Sequence, residues 1–136
     1  APPGAPRLTA FCCSRSAALA ARAAADLDRE GLSVVTVPCA GSLAPEMLLA
    51  PFRRGAEGVL VMTCHADNCH SREGRGFAER RVDQTAQLLS RIGMAAERIR
   101  ISSLAANMAG EFTQTVAAFR RTLISLREGA QRRPST

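Results

Sequence analysis

The sequence predicts an α/β fold in which a parallel four-stranded sheet carries helices on both faces. Short apolar segments alternate four times with longer amphipathic ones along the 136 residues, as expected for strand–helix units of a parallel sheet. The segment Gly58–Thr63 is short and valine-rich, which is typical of a strand buried on both faces. No internal repeat beyond this unit and no domain break is present. We therefore expect one flavodoxin- or Rossmann-like domain.

Four segments are predicted strands. The first two are Arg7–Cys13, which is short and apolar, and Leu32–Val37, which is a continuous β-branched run. Pro38 cannot donate a ladder hydrogen bond, so the second strand should end before it. Gly58–Thr63 is the third strand. The fourth, Arg98–Leu104, alternates apolar and polar residues, which indicates a position at or near a sheet edge.

Four helices are predicted between and after these strands. Their ranges are Ser16–Arg29, about Pro45–Arg54, Phe77–Ile92 and Gly110–Arg127. The apolar stripes are Leu19, Ala23 and Leu27 in the first, Val82, Ala86 and Leu89 in the third, and Phe112, Val116, Phe119 and Leu123 in the fourth. The first three helices are each followed by a glycine suited to a helix end: Gly31, Gly55 and Gly93. The segment Ser71–Gly76 is predicted to be irregular.

The chain is divided into an extended lead at residues 1–6, one folded domain at 7–128 and a flexible polar tail at 129–136. Its net charge is +6, and all 18 basic residues are arginine. Aromatic residues make up only 4% of the chain and no recognition motif is present, so we expect no nucleic-acid partner. No apolar run reaches the length of a membrane span. Because the lead lacks the features of a signal peptide, we expect a cytoplasmic location.

Cysteines fall at or just beyond the carboxyl ends of three predicted strands. They are Cys12, Cys13, Cys39, Cys64 and Cys69. Parallel strands end together at one edge of the sheet, where open α/β sheets bind their ligands, and we call this edge the cysteine edge. An odd number of cysteines in a chain unlike a disulfide scaffold favours metal or redox chemistry in a reducing compartment. Clustered thiolates suit zinc or an iron–sulfur cluster.

Other chemistries are less consistent with the residues. A phosphatase loop after the first strand would need an arginine six residues beyond its cysteine, and those positions hold Ala18 and Leu19. No dinucleotide-binding glycine motif, Walker A sequence or serine elbow is present. His65 and His70 follow two of the cysteines, where histidines more often support ligands than bind the metal. We expect an electron-transfer subunit rather than a self-sufficient enzyme.

Four motifs in order resemble the delta-subunit family of methyl-viologen-reducing hydrogenase, the iron–sulfur subunit associated with heterodisulfide reductase. They are FCC at Phe11–Cys13, VPCAG at Val37–Gly41, GAEGVLVMTCHADNCH at Gly55–His70 and AERR at Ala78–Arg81. The resemblance extends over residues 7–127. It implies a 2Fe–2S cluster held by cysteines in an iron–sulfur electron-transfer domain at 7–128. It also implies a redox complex with flavoprotein or iron–sulfur partner subunits.

Carried over by position, the resemblance implies that all five cysteines are candidates for binding the cofactor. The family usually has a third cysteine at the first strand end, where this chain has Ser16. A zinc-binding or cluster-free structural subunit is therefore the alternative function. The predicted metal ligands are Cys13, Cys39, Cys64 and Cys69.

The choice within the adjacent pair follows from strand geometry. Successive strand residues face opposite sides, so Cys12 and Cys13 can hardly both reach one cluster, and Cys13 lies nearer the loop. Cys12 has an alternative interpretation as a buried apolar thiol. Beside the predicted cysteine loop, four arginines form a positive surface that is either a docking site for an acidic partner face or a solvated face: Arg72, Arg75, Arg80 and Arg81.

Overall fold

The predicted parallel α/β architecture is confirmed. A computed structural model describes residues 5–14, 17–25, 27–38, 43–64, 74–104 and 108–132, with the backbone alone at 64, 74, 75, 104 and 130–132. The elements are β1 (Leu8–Cys13), α1 (Ala17–Ala23), β2 (Leu32–Val37), α2 (Pro45–Arg53), β3 (Gly58–Cys64), α3 (Gly74–Arg91), a 3₁₀ turn (Ala96–Arg98), β4 (Ile99–Leu104) and α4 (Ala109–Arg132). All strands pair in parallel, in the order β2-β1-β3-β4.

Two apolar cores lie on the two faces of the sheet. Alternation along β1 sends Ala10 into a core with α1 and α4, and Phe11 into a core with α2 and α3. β3 contributes Leu60 and Met62 to the first core and Val59 and Val61 to the second, so the prediction of a strand buried on both faces is confirmed.

The fourth strand and the last helix also follow their sequence patterns. β4 lies at one edge of the sheet, as its alternating pattern predicts. The predicted stripe of α4 is completely buried, at Phe112, Val116, Phe119 and Leu123. Gly93 ends α3 with φ +85°, and the Met94 amide donates to the Leu89 carbonyl at 2.8 Å. Among the described helices, none combines the length and apolarity that a membrane crossing requires.

The first helix is shorter than predicted. It ends at Ala23 rather than Arg29, and the predicted stripe positions Leu19 and Ala23 are exposed. The Ala21 carbonyl accepts hydrogen bonds from the Ala24 amide at 3.3 Å and from the Arg29 guanidinium at 2.8 Å. These donors replace the amide that would continue an α-helix, so the chain turns off despite its alanine content.

Interactions with α4 hold the segment that follows. Arg120 donates to the carbonyls of Asp28 at 2.6 Å and Glu30 at 2.9 Å. Gly31 then lies at φ +73° in the turn into β2, well beyond the end of α1 at Ala23, and is not a helix cap. The predicted helix of 14 residues was wrong because distant side chains compete for its carbonyl groups.

Two other boundaries differ from the sequence prediction. α3 begins at Gly74, so the last three residues of the predicted irregular segment 71–76 are helical, while 71–73 lie outside the described residues. α4 continues to Arg132, so residues 129–132 are helical rather than part of a flexible tail. Helix propagation costs little once a long helix is packed, which explains both extensions.

An ion-pair network fastens the amino ends of the strands. The Glu57 carboxylate accepts two hydrogen bonds from Arg127 of α4 and one from the Arg7 amide at 3.2 Å. The Glu57 carbonyl accepts from Arg98 at 3.0 Å, just before β4. Chiefly because of the Arg127 hydrogen bonds, and against the opposing effect of burial, the pKa of Glu57 is lowered from its ordinary 4.5.

Close packing between β3 and α4 requires glycine at the first position of β3. A Cβ at Gly58 would lie 2.7 Å from Cε2 of Phe119 and 2.8 Å from Cδ1 of Leu123. Both residues are completely buried, so neither can move away without disturbing the core.

We expect Gly58→Ala to lower the free energy of unfolding by about 1–3 kcal/mol, because the added methyl overpacks this contact. Gly129→Ala is the matched control, since a Cβ there meets nothing within 4 Å and the residue is helical. That control should raise the stability by about 0.5–1 kcal/mol. Urea denaturation of both variants measures the difference. Equal stability of Gly58→Ala and wild type would contradict this packing.

The Glu57 network should make stability depend on pH. Because the folded pKa is depressed, the stabilisation is complete above pH 4.5 and is lost as pH falls through the folded pKa. Glu57→Gln should cost about 1–2 kcal/mol at pH 7, and this difference from wild type should shrink towards pH 2. Chemical denaturation across this pH range tests it, with the exposed Glu97→Gln as control. A pH-independent difference would contradict the role of the charge.

Candidate functional site

The carboxyl ends of three strands lie at nearly one level. In the parallel register Cys13 is opposite Val37, and Cys12 is opposite Met62. Cys64, the last residue of β3, is therefore one step beyond the level of Cys13. The backbone thus brings β1, β2 and β3 to the common edge that the sequence predicts as the cysteine edge.

The direction of the chain reverses at this same edge. The connection after β1 leads outwards to β2, and the connection after β2 returns past β1 to β3, as the order β2-β1-β3-β4 requires. The crevice between the carboxyl ends of β1 and β3 is therefore the topological switch point, where doubly wound sheets bind ligands. Cys13 and Cys64 end the two strands on either side of it.

The thiol of Cys13 lies beside the end of β2. Its Sγ is 3.9 Å from the Pro38 carbonyl oxygen, close enough for a weak thiol hydrogen bond. That carbonyl belongs to the peptide bond that joins Pro38 to Cys39. Cys13 is 3% exposed and lies two residues after Phe11, on the same face of the strand. The backbone therefore holds Cys13 next to the segment that carries a second predicted ligand.

The thiol of Cys12 lies in the opposite core. It is completely buried together with Ala10, Met62 and Phe112, and its Sγ is 3.8 Å from the Ala10 carbonyl oxygen. Burial, reinforced by the neighbouring thiol of Cys13, raises the pKa of Cys12 from 9.0 to about 12. The metal-binding form of cysteine is the thiolate. In this chain Cys12 is a protonated core residue.

The remaining predicted ligands are described only in part. Cys64 is described by its backbone, and Cys39 and Cys69 lie outside the described residues, as do His65 and His70. Within the described part of the chain, no group of three or more metal-binding side chains is arranged around a common point. The complete ligand set predicted from the sequence therefore stays a prediction.

Thr63 is a polar residue at this edge that the sequence analysis did not single out. Its side chain is 2% exposed, and its hydroxyl donates to the Ser102 carbonyl at 3.3 Å. This bond ties the carboxyl end of β3 to β4 directly before Cys64. A threonine next to a strand-end cysteine was the available sequence signal, but threonine is equally common on buried strands.

The predicted arginine surface is divided by the structure. The Arg81 guanidinium is turned to the fold and donates to the Leu43 carbonyl at 2.7 Å. Arg80 lies 4.7 Å from the ring centroid of the exposed Phe77. Arg72 and the side chain of Arg75 lie outside the described part. Of the predicted surface, Arg80 alone is described as an exposed arginine.

The donor chemistry at the switch point fits an iron–sulfur group. Soft thiolates select iron–sulfur clusters, zinc and copper(I). Cys13 is directed towards the segment carrying Cys39, and Cys64 ends the strand across the crevice. Cys12 does not fit as a ligand, because its thiol lies in the core on the other face of β1.

These features define a Rossmann-like α/β domain with a thiol-bearing sheet edge. The chain belongs to the family of the methyl-viologen-reducing hydrogenase delta subunit (FlpD), whose family model matches residues 8–127. The resemblance noted from the motifs is thus confirmed over nearly the same range.

Two relatives are named as small iron-sulfur subunits of F420-non-reducing hydrogenases. The one from Archaeoglobus profundus is 34% identical over 95 residues, which are 70% of this chain and 69% of the relative. The one from Methanopyrus kandleri, of the vhu type, is 30% identical over 80% of this chain and 85% of the relative. This chain therefore matches most of the length of both proteins.

A third relative is much longer. It is a component of the ferredoxin:CoB-CoM heterodisulfide reductase of Methanosarcina mazei and is 31% identical over 88 residues, which are 65% of this chain but only 11% of that protein. A domain of this family thus also occurs as a small part of a larger redox protein.

Among solved structures, a de novo designed Rossmann fold protein superposes with a TM-score of 0.53. The match covers 84% of this chain and 97% of the designed protein at 17% sequence identity. At that identity the likeness shows the fold alone, and it confirms the predicted Rossmann-like class.

Proposed function

We propose that this chain is an electron-transfer subunit of a redox complex and carries a 2Fe–2S cluster at the cysteine edge. The observation that supports the proposal most directly is the position of Cys13 at the switch point, with its thiol against the carbonyl that precedes Cys39. When bound, such a cluster supplies one-electron chemistry. The hydrogenase and reductase names of the relatives are consistent with this role.

The proposed ligands are the four thiols that lie at or beyond strand ends on the open side of the crevice: Cys13, Cys39, Cys64 and Cys69. Cys12 is left out because its thiol is completely buried in the core with α1 and α4. Its peptide group still contributes, since it holds β1 in register with β3. Five cysteines are thus divided into four ligands and one packing residue.

The protein's own residues orient and shield this site. Backbone pairing holds Cys13 level with the end of β2, and the Thr63 hydroxyl bond to Ser102 fixes the end of β3. Because Cys13 and Thr63 are almost completely buried, water has little access from the sheet side. Such a protected surrounding controls the potential of a bound redox centre.

We further propose that the partners are flavoprotein or iron–sulfur subunits, and that the complex works in the cytoplasm. An electron carrier without substrate chemistry of its own needs a donor and an acceptor. The free thiols of Cys12 and Cys13 are compatible with a reducing compartment.

Anaerobic purification tests the proposed cofactor. The protein should contain iron and acid-labile sulfide in equal amounts and show a visible charge-transfer absorption that dithionite bleaches. Iron-free, colourless protein would contradict the proposal. One zinc per chain without sulfide would instead support a structural zinc-binding subunit, the alternative that Ser16 raises.

Serine substitutions should separate the two adjacent cysteines. Cys13→Ser should lose most of the iron and sulfide, because it removes a proposed ligand. Cys12→Ser should retain them, because that side chain only packs in the core. Cys12→Ala provides a second variant without a buried hydroxyl, and thermal unfolding shows that each variant is folded. If Cys12→Ser and Cys12→Ala both lost the cluster while Cys13→Ser kept it, the assignment within the pair would be wrong.

A further inference from the structure

The edge strand β2 is uncovered on both faces along its middle. Its ends are anchored, since Leu32 packs on one core and Val37 is buried in the other. Between them residues 33–36 are all exposed, and β2 pairs with β1 alone. Val34 and Val35 are 36% and 39% exposed. The outward amide and carbonyl groups of this strand therefore have no strand partner within the described chain.

The two exposed valines face opposite sides of the sheet. Val34 is opposite Ala10, on the face with α1 and α4, and Val35 is opposite Phe11, on the face with α2 and α3. The described helices pack mainly on β1, β3, β4 and each other, and none makes an extensive contact with β2. One exposed apolar residue from a helix accompanies each face, Leu19 of α1 and Met47 of α2.

The other edge of the sheet is protected in the usual way. β4 is covered by α3 on one face and by α1 and α4 on the other. It carries Arg100, whose guanidinium lies 5.4 Å from the Phe119 ring centroid and donates to the Thr122 hydroxyl at 3.3 Å. Charged residues on edge strands prevent pairing with other chains. β2 has no charge and no proline among its six residues.

We propose that β2 is a docking strand, along which a redox partner protein places an extended, uncharged segment of its own. Such strand addition uses main-chain hydrogen bonds for affinity and alternate side chains for specificity. Apolar residues of the partner would cover Val34 on one face and Val35 on the other. The inference rests on the proposed electron-transfer function, which requires a partner close to the cysteine edge.

The direction of β2 selects this occupant over a second copy of the chain. β2 leads straight into Pro38 and Cys39, and the Pro38 carbonyl is against the Cys13 thiol. A partner strand along β2 therefore ends beside the proposed redox site. In a two-fold dimer the β2 strands would run antiparallel, so the two cysteine edges would lie at opposite ends of the shared sheet. That pairing would leave each site without a partner.

The test uses the native complex. A tagged chain is purified anaerobically from the organism that encodes it, and accompanying proteins are identified by mass spectrometry and assayed for flavin, iron and sulfide. A flavin- or iron–sulfur-bearing protein should accompany the wild type. Hydrogen exchange of the amides in residues 32–37 should be at least about tenfold slower in the complex than in the chain alone.

Val35→Lys should lower recovery of that partner about tenfold, because strand addition would bury an unpaired charge. Ser90→Lys is the matched control, since it adds the same charge at an exposed position of α3 and should leave recovery unchanged. Both variants should keep the thermal stability of the wild type. They should also keep its iron and sulfide content, because no cysteine is altered. Loss of docking is thereby distinguished from failure of the cluster proposal.

Three outcomes would overturn the proposal. The first is that no redox protein accompanies the chain. The second is that residues 32–37 exchange equally fast in the complex and alone, or that Val35→Lys is recovered with its partner as well as wild type. The third is a homodimer that accounts for the protection of β2 without the partner.

Discussion

The parallel pairing of β1 with both β2 and β3 is the constraint on which the fold and the candidate site depend. β1 is buried at all six positions, so its hydrogen bonds to both neighbours form away from water. This pairing brings three strand ends to one level and makes the chain reverse direction beside them. The site is therefore determined by backbone geometry, and its side chains only occupy positions that the register provides.

Local patterns in the sequence were sufficient for most of the fold. The strands lie within a residue of their predicted bounds, and the stripe of α4 is buried as its 3.6-residue period predicts. The end of α1 could not be predicted, because it depends on Arg120, which bonds to carbonyls about ninety residues earlier in the chain. The intrinsic helix preference of alanine carries no information about such a contact.

The candidate site could be predicted as an edge but not as a set of contacts. Strand periodicity indicated that Cys12 and Cys13 face opposite sides, and the structure shows that Cys12 is the one in the core. The exposure of β2 was not predictable, because LSVVTV has the composition of a buried strand. Only the order of strands in the sheet reveals that its middle is uncovered.

The two ends of the sheet are maintained by unrelated interactions. At the amino end, Glu57 joins Arg7, Arg98 and Arg127, and none of these residues belongs to the cysteine edge. Evolution can therefore change the thiols with little penalty in foldability, as Ser16 at a position usually occupied by cysteine in the family illustrates. The same scaffold can be inherited with different metal content, so descent and cofactor need not be conserved together.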